Sequence, residues 1–481
     1  MHKHLRLTLA TAAAATLTGG LLTFSAATAT AADAAALTAS DADFNGDGLA
    51  DVAVSATGAY VNGKAAAGQL TVLYGGGKHA TISQNTAGVP GTAETNDYFG
   101  SGTAYGDFDG DGYDDLAVGA QGEDVGSDTD GGTAVILWGS ASGLTGGTTV
   151  KDPRPGKHDW FGSGITAGDY NGDGTDDLAL GTWSSSTIDI YRGGFTRSGS
   201  TGGHYTLSVP IYSGDGWGIR NLHSGDANGD GVEDLIVNGY ATDNDYNANF
   251  WFPGSASGVS SASYQKLPGG IITDVGDTDS DGYGDIVFGL DWDEGIANAQ
   301  LGGAALIGHG SPDGPAYGEL QTIDQDTSGV PGTGEAGDYF GGELDLGDVN
   351  GDGHLDLVVG APGENVTGGA DAGAVTVLYG ASDGSGITGA GAKFLDQNTS
   401  GVPNSNEKGD NFGSDVHVDD LNGDGLGDVV IGARGENGRN GAVYALRSGT
   451  DGSLSASSGI YTSTVGISAS GTPLFGSNFA D

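Results

Sequence analysis

Nine-residue runs of the form D-x-[DN]-x-D-G-x-x-D carry most of the chemistry this sequence could do. The second of them, DFDGDGYDD at 107–115, sets Asp107, Asp109, Asp111 and Asp115 within nine positions and leads straight into an apolar stretch. Either a cation sits among these carboxylates or they form a solvated acidic turn. The spacing favours the cation: oxygens from positions 1, 3, 5, 7 and 9 of such a run can wrap one hard ion, with position 7, here Tyr113, offering its backbone carbonyl. Gly112 at position 6 permits the sharp reversal this needs. Oxygen donors with no Cys or His select a hard ion, and a flexible loop suits Ca²⁺ better than Mg²⁺. An EF-hand would require a bidentate Glu at position 12 followed by a helix; Val118 stands there, inside a strand pattern.

The run occurs seven times. The first copy offers Asp43, Asn45, Asp47 and Asp51, with Leu49 at position 7; the third, Asp169, Asn171, Asp173 and Asp177, with Thr175. The fourth offers Asp226, Asn228, Asp230 and Asp234, with Val232; the fifth, Asp277, Asp279, Asp281 and Asp285, with Tyr283. The sixth and seventh offer Asp348, Asn350, Asp352 and Asp356, with His354, and Asp420, Asn422, Asp424 and Asp428, with Leu426. Up to seven Ca²⁺ ions are therefore expected. Like charges this dense repel unless neutralised.

The elements that must position these loops follow from the period. Successive first aspartates lie 64, 62, 57, 51, 71 and 72 residues apart, enough for about four short strands with turns. The best-preserved unit shows a first strand at 99–105, the acidic loop, a second strand at 116–120 in which Leu116 and Val118 alternate with Ala117 and Gly119, and a third at 133–138. The fourth is fainter, at stretches such as Thr81-Ile82-Ser83-Gln84. No window sustains a helical period, so the chain reads as all-β. Three connectors, beginning at Gln84, Asp324 and Asp396, repeat almost verbatim and link one unit to the next.

With Phe99-Gly100, Phe161-Gly162, Phe340-Gly341, Phe412-Gly413 and Phe475-Gly476, the seven acidic loops, and the turns Gly119-Ala120, Gly360-Ala361-Pro362 and Gly432-Ala433, the chain resembles the FG-GAP repeat family, whose blades build the N-terminal propeller of integrin alpha subunits. The resemblance covers 41–481 and implies a seven-bladed β-propeller with a calcium loop joining the first and second strands of each blade. Expected blades are 35–85, 86–150, 151–210, 211–267, 268–323, 324–395 and 396–470. Because Phe475-Gly476-Ser477 matches Phe99-Gly100-Ser101, residues 471–481 are expected to supply the inner strand of the first blade and close the ring; Leu37-Thr38-Ala39 is the rival.

Residues 1–31 read as a secretory signal: Lys3 and Arg6, an apolar run to Phe24, then Ala29-Thr30-Ala31 as a cleavage site. The mature chain, 32–481, is expected to be one exported propeller without a membrane span, and a monomer. It has no cysteine, so disulfides cannot staple it and bound metal could. The full chain's formal charge of −47 makes nucleic acid an unsuitable partner.

Blades three to five depart from the pattern. After the second strand they read Gly181-Thr182-Trp183, Gly239-Tyr240 and Gly289-Leu290-Asp291-Trp292 in place of Gly-Ala, and in the fourth the Phe-Gly pair becomes Trp217-Gly218. The resemblance implies that this turn lies on the face opposite the calcium loops, where ligands bind. Trp183, Tyr240 and Trp292, with Trp160 and Trp217, are thus candidates for an aromatic patch that stacks on a sugar or grips a protein; packing between blades is the competing reading.

Catalysis finds little support, and no catalytic residue is assigned. Gly380-Ala381-Ser382-Asp383-Gly384 fits G-x-S-x-G but follows a third strand, where a hairpin turn is expected and no helix comes next. The histidines show no metal-ligand spacing. A secreted calcium-binding module for adhesion to an extracellular carbohydrate or protein fits best. The alternatives are an enzyme acting on polysaccharide or lipid through unrecognised acids, and a calcium-dependent structural protein of the envelope.

Overall fold

The computed structural model describes residues 42–214, 216–243, 246–318, 320–456 and 458–480. The expected signal, and the Leu37-Thr38-Ala39 stretch that rivalled the tail, lie outside the described residues. Seven antiparallel sheets follow one another along the chain. Blade two is representative, with strands Phe99–Gly106, Asp115–Ala120, Thr133–Trp138 and Thr145–Val150 hydrogen-bonded in that order. The only described helices are two single turns, Glu436–Arg439 and Thr462–Val465, and none is long and apolar enough to cross a membrane.

Blades stack face against face, which explains the second strands. Each of them, from Val52–Ala56 to Asp428–Ala433, is buried along its whole length, so both of its faces need apolar or small side chains. The hydrophobic core is correspondingly divided into seven main clusters, each filled from two neighbouring blades. One of these joins Val52 and Val54 of blade one to Val430 and Val443 of blade seven through Phe475 and Phe479.

The tail runs antiparallel to Val52–Ala56. Gly476 donates to the Ser55 carbonyl at 3.1 Å, Ser55 to Asn478 at 2.8 Å and Ala480 to Ala53 at 3.0 Å. The Phe479 amide also reaches Asp415 of blade seven at 2.7 Å, and Asn478 reaches Thr103 of blade two at 3.0 Å. Residues 476–480 thus stand as the inner strand between the last blade and the second.

The Phe-Gly pairs act as plugs between blades. Phe161, Phe340, Phe412 and Phe475 are fully buried and bridge in parallel to Gly132, Gly303, Gly373 and Gly441 of the preceding blade. The following glycine is left-handed every time, φ 83–92° at Gly100, Gly162, Gly341, Gly413 and Gly476, a conformation that a side chain would strain. In blade four the sequence pattern misleads. Ile219, whose amide reaches Ser185 at 3.1 Å as that of Phe161 reaches Gly131, fills the plug position and is fully buried, while Trp217 is displaced outward and stays 48% exposed. A second small difference lies in blade one, where the fourth strand is Lys78–Ile82; Ser83 leaves it because its amide and carbonyl are taken up in a turn with Thr86.

The three near-identical connectors make one contact three times. Gln84, Gln325 and Gln397 donate their side-chain amides to Glu123, Glu364 and Glu436 at 2.6, 2.5 and 2.7 Å. Further along, Asp97, Asp338 and Asp410 accept the amides of Glu94, Glu335 and Glu407. Burial, only partly offset by that amide, pushes Asp338 and Asp410 up to about 6. A carboxyl raised in the folded state binds more protons folded than unfolded, so its contribution to stability is present in acid and lost as pH rises through about 6. We expect the D338N/D410N variant to gain stability over the parent at neutral pH and to show a flatter melting temperature between about pH 4 and 7; parallel pH curves for the two proteins would refute this.

Candidate functional site

Each acidic loop is folded around its first aspartate. Asp107 Oδ1 accepts the amides of Gly110 and Asp111 at 2.8 and 3.0 Å, and its Oδ2 that of Gly112 at 2.9 Å. The same three-amide cradle forms at Asp43, Asp226, Asp348 and Asp420. The position-5 aspartate accepts the amide of position 7 in all seven loops, at 2.9 to 3.2 Å, from Leu49, Tyr113, Thr175, Val232, Tyr283, His354 and Leu426.

The position-9 aspartate opens the second strand and is buried in every loop. It accepts an amide from a residue that ends the third strand or lies one or two positions beyond it: Gly75, Gly139, Gly193, Gly254, Gly310, Gly380 or Ser448. Burial, opposed by those amides, pushes Asp51, Asp234 and Asp356 up to about 7, Asp115 to about 8 and Asp177 to about 6. A carboxyl so desolvated beside two or three others is in the electrostatic setting that a bound cation relieves.

The loops differ in how well they fit such an ion. In the second, ligand atoms of Asp107, Asp109 and Asp111 lie within 4.8 Å of one another, and the buried Asp109 Oδ1 and Asp115 Oδ2 have no hydrogen-bond partner. In the first, third, sixth and seventh, position 3 is Asn45, Asn171, Asn350 or Asn422, whose Nδ2 faces the position-9 carboxylate at 2.9 to 3.4 Å; a half-turn of the amide presents its oxygen instead. In the fourth and fifth the position-9 carboxylate is already supplied with donors, Asp285 by the Thr278 amide and hydroxyl and the Gly310 amide, and Asp279 accepts the Asp281 amide. In the fourth, Asn228 turns to the Asp230 amide, and Asp234 already accepts from Trp251 Nε1 at 2.7 Å, Gly254 and Ala227.

The opposite ends of the same second strands carry the aromatic residues. Around blades three to five the rings form an unbroken line: Tyr212 to Trp217 at 6.1 Å between centroids, Trp217 to Tyr240 at 5.0 Å, Tyr240 to Tyr246 at 5.0 Å and Tyr246 to Trp292 at 6.5 Å. The Arg220 guanidinium lies 5.1 Å from the Trp183 ring and 5.8 Å from that of Tyr240, tying Trp183 to the line. Tyr212, Trp217 and Tyr246 are each about half exposed. Trp160 is half-buried in a left-handed turn ahead of Phe161 and makes no ring contact with the line among the described residues. Of the sequence candidates, Trp183, Trp217, Tyr240 and Trp292 come together. Tyr212, Tyr246 and Arg220 were not singled out, although each lies within six residues of one that was.

Elsewhere, a cavity of about 380 Å³ follows the axis and is lined by the inner strands. There His223 meets Asp274 at 3.2 Å, and His417 meets Asp345 at 3.2 Å and Asp419 at 2.7 Å. Asp274 and Asp345 also accept the Leu346 and Val418 amides of the next blade, so these carboxylates stitch inner strands together. Gly380–Gly384 forms a tight turn, Gly384 donating to Ala381, and not a nucleophile elbow.

The sequence model of the FG-GAP repeat matches residues 37–73, 99–137, 161–186, 340–378 and 412–446, in blades one, two, three, six and seven. Phosphatidylinositol-glycan-specific phospholipase D of Mus musculus is 39% identical over 114 residues, 23% of this chain, and integrin alpha pat-2 of Caenorhabditis elegans is 29% identical over 237 residues, 43% of this chain. These matches span 13% and 19% of the relatives' own lengths. Among solved structures, an Agrocybe aegerita lectin described for recognition of non-reducing terminal N-acetylglucosamine shares the fold over 91% of this chain and 95% of its own, with TM-score 0.51 and 14% identity.

Proposed function

Because this chain carries FG-GAP repeats on a seven-bladed ring, we propose that it is an exported, calcium-stapled binding module that presents an aromatic line to an extracellular glycan. The observation that carries the ligand reading is the run of five contacting rings, three of them half exposed, on the face away from the acidic loops. Rings buried only for packing would not be left open to solvent in a continuous row. Aromatic faces offer apolar area at little entropic cost, and the mutual edge-to-face contacts hold them in place before a ligand arrives. Arg220, lying against both Tyr240 of the line and Trp183, ties one further ring to it.

The calcium reading rests on the cradle at the first aspartate, the buried position-9 carboxylate and the partnerless oxygens of the second loop. Export rests on the signal read in the sequence.

A glycan array probed with the mature chain in calcium tests the proposal. We expect retention on one glycan class, and the W217A/Y246A variant to lose about tenfold or more in affinity while melting as the parent does, since neither ring is buried. Array signals unchanged in that variant overturn the assignment of the face. Binding to a matrix protein alone, lost in the same variant, keeps the face and replaces the glycan.

A further inference from the structure

The fifth acidic loop departs from its six sisters at several points at once. Position 4 is glycine in the others and Ser280 here, held left-handed at φ 63°. Position 3 is Asp279 where five sisters have Asn. The residue just before the one whose amide caps the position-9 aspartate is Tyr74, Trp138, Arg192, Pro253, Tyr379 or Arg447 in the sisters; in the fifth blade it is His309.

That imidazole enters the loop. Its Nδ1 lies 3.4 Å from Asp279 Oδ2 and 3.3 Å from Asp285 Oδ1, is buried, and has no hydrogen-bond partner. Asp285 is itself fully buried. Ligand atoms of Asp279, Asp285 and His309 lie within 4.8 Å of one another, and so do those of Asp277, Asp279 and Asp281. Neighbouring ligands around an ion held at about 2.0–2.1 Å sit a little over 3 Å apart, which is the spacing found here.

The second loop provides the contrast. It too has an aspartate at position 3, and a base has come to it: Arg197 lies 3.7 Å from Asp109 and 3.6 Å from Asp111. A guanidinium can only balance charge, whereas a neutral imidazole is a ligand. One nitrogen among carboxylate oxygens moves a site away from Ca²⁺ and toward first-row divalent ions, for which imidazole is a good donor.

We propose that the fifth loop is a mixed nitrogen–oxygen site for a transition ion of the zinc class, with His309 Nδ1, Asp279 and Asp285 as its core and Asp277 and Asp281 beside them. This rests on reading the loops as cation sites, and it distinguishes one loop from the other six.

The test strips the mature protein with chelator, equilibrates it with Zn²⁺ in a large excess of Ca²⁺, and measures both metals by elemental analysis after dialysis. One zinc per chain is expected to remain against calcium. H309Q should weaken zinc by about tenfold or more. D279N, which restores the asparagine of the sister loops, should also release zinc while the calcium held by the other six loops stays as in the parent. No zinc retained by the parent, or zinc retained equally by both variants, overturns the proposal. Retained zinc with no bound calcium supports it and instead overturns the calcium reading of the other loops.

Discussion

A chain ending at residue 470 is expected to melt at least about 10 °C below the full-length protein and with reduced cooperativity. The deleted segment carries three backbone hydrogen bonds to Val52–Ala56 and at least two to neighbouring inner strands, each worth about 1 kcal/mol net, together with the buried Phe475 and Phe479 at about 2–3 kcal/mol each. The total approaches 10 kcal/mol, and for a domain of this size each kcal/mol moves the midpoint by roughly 1–2 °C. Calorimetry on the truncated chain measures it directly. A milder form of the experiment, F475A, removes one plug without opening the sheet edge and should cost about 3–5 kcal/mol. A truncated chain that melts with the parent would show that blade one needs no strand from the C-terminus.

The second large effect is expected from chelation. Seven buried position-9 carboxylates, each beside further aspartates, are a standing electrostatic cost that bound ions would relieve. An ion that binds only the folded chain adds about 2.7 kcal/mol per site at a concentration 100 times its Kd, so several occupied loops together rival the whole stability of a typical domain. We expect excess chelator to lower the melting temperature by tens of degrees or to abolish the cooperative transition, with recovery on adding calcium back. The second loop, where one oxygen each of Asp109 and Asp115 lacks a partner, should contribute more than the fourth, where Trp251 already occupies Asp234. D115N should therefore remove more of the calcium response than D234N. A melt indifferent to chelator would end the calcium reading.

Much of the ring could be read from the sequence because its signals are local. The acidic loops, the Phe-Gly pairs and the strand at Thr133–Trp138 are contiguous patterns, and their repetition gave the all-β, seven-bladed architecture. What escaped depends on alignment between blades. Trp217 looked like a substitute for a buried Phe because it precedes a glycine; only the hydrogen bond from Ile219 to Ser185 shows which residue fills the plug. His309 lies 24 residues beyond Asp285 and reaches it through the antiparallel pairing of Asp285–Leu290 with Ala304–Gly308, a register that spacing alone does not reveal. His223, Asp274, Asp345 and His417 each stand three positions before the first aspartate of their own loops, a regularity visible in the sequence once the blades are overlaid. The aromatic line was half legible, since its tryptophans stood out by composition while Tyr212 and Tyr246 joined it only through the curvature of the ring.

The fully buried second strands of blades three, four and five have a thermodynamic consequence. Each begins at a position-9 aspartate, Asp177, Asp234 or Asp285, and is followed within two residues of its end by Trp183, Tyr240 or Trp292. Five or six residues of close-packed chain therefore connect a candidate ion ligand on one face to an aromatic ring on the other, with little freedom to absorb a displacement between them. If an ion binds at one end and a ligand at the other, two equilibria that share so short a rod would be linked. To whatever extent an ion shifts affinity at the rings, a ligand on the rings shifts affinity for the ion by the same factor. The disc would then report extracellular cations through what it holds, and hold them more or less firmly according to what it has met.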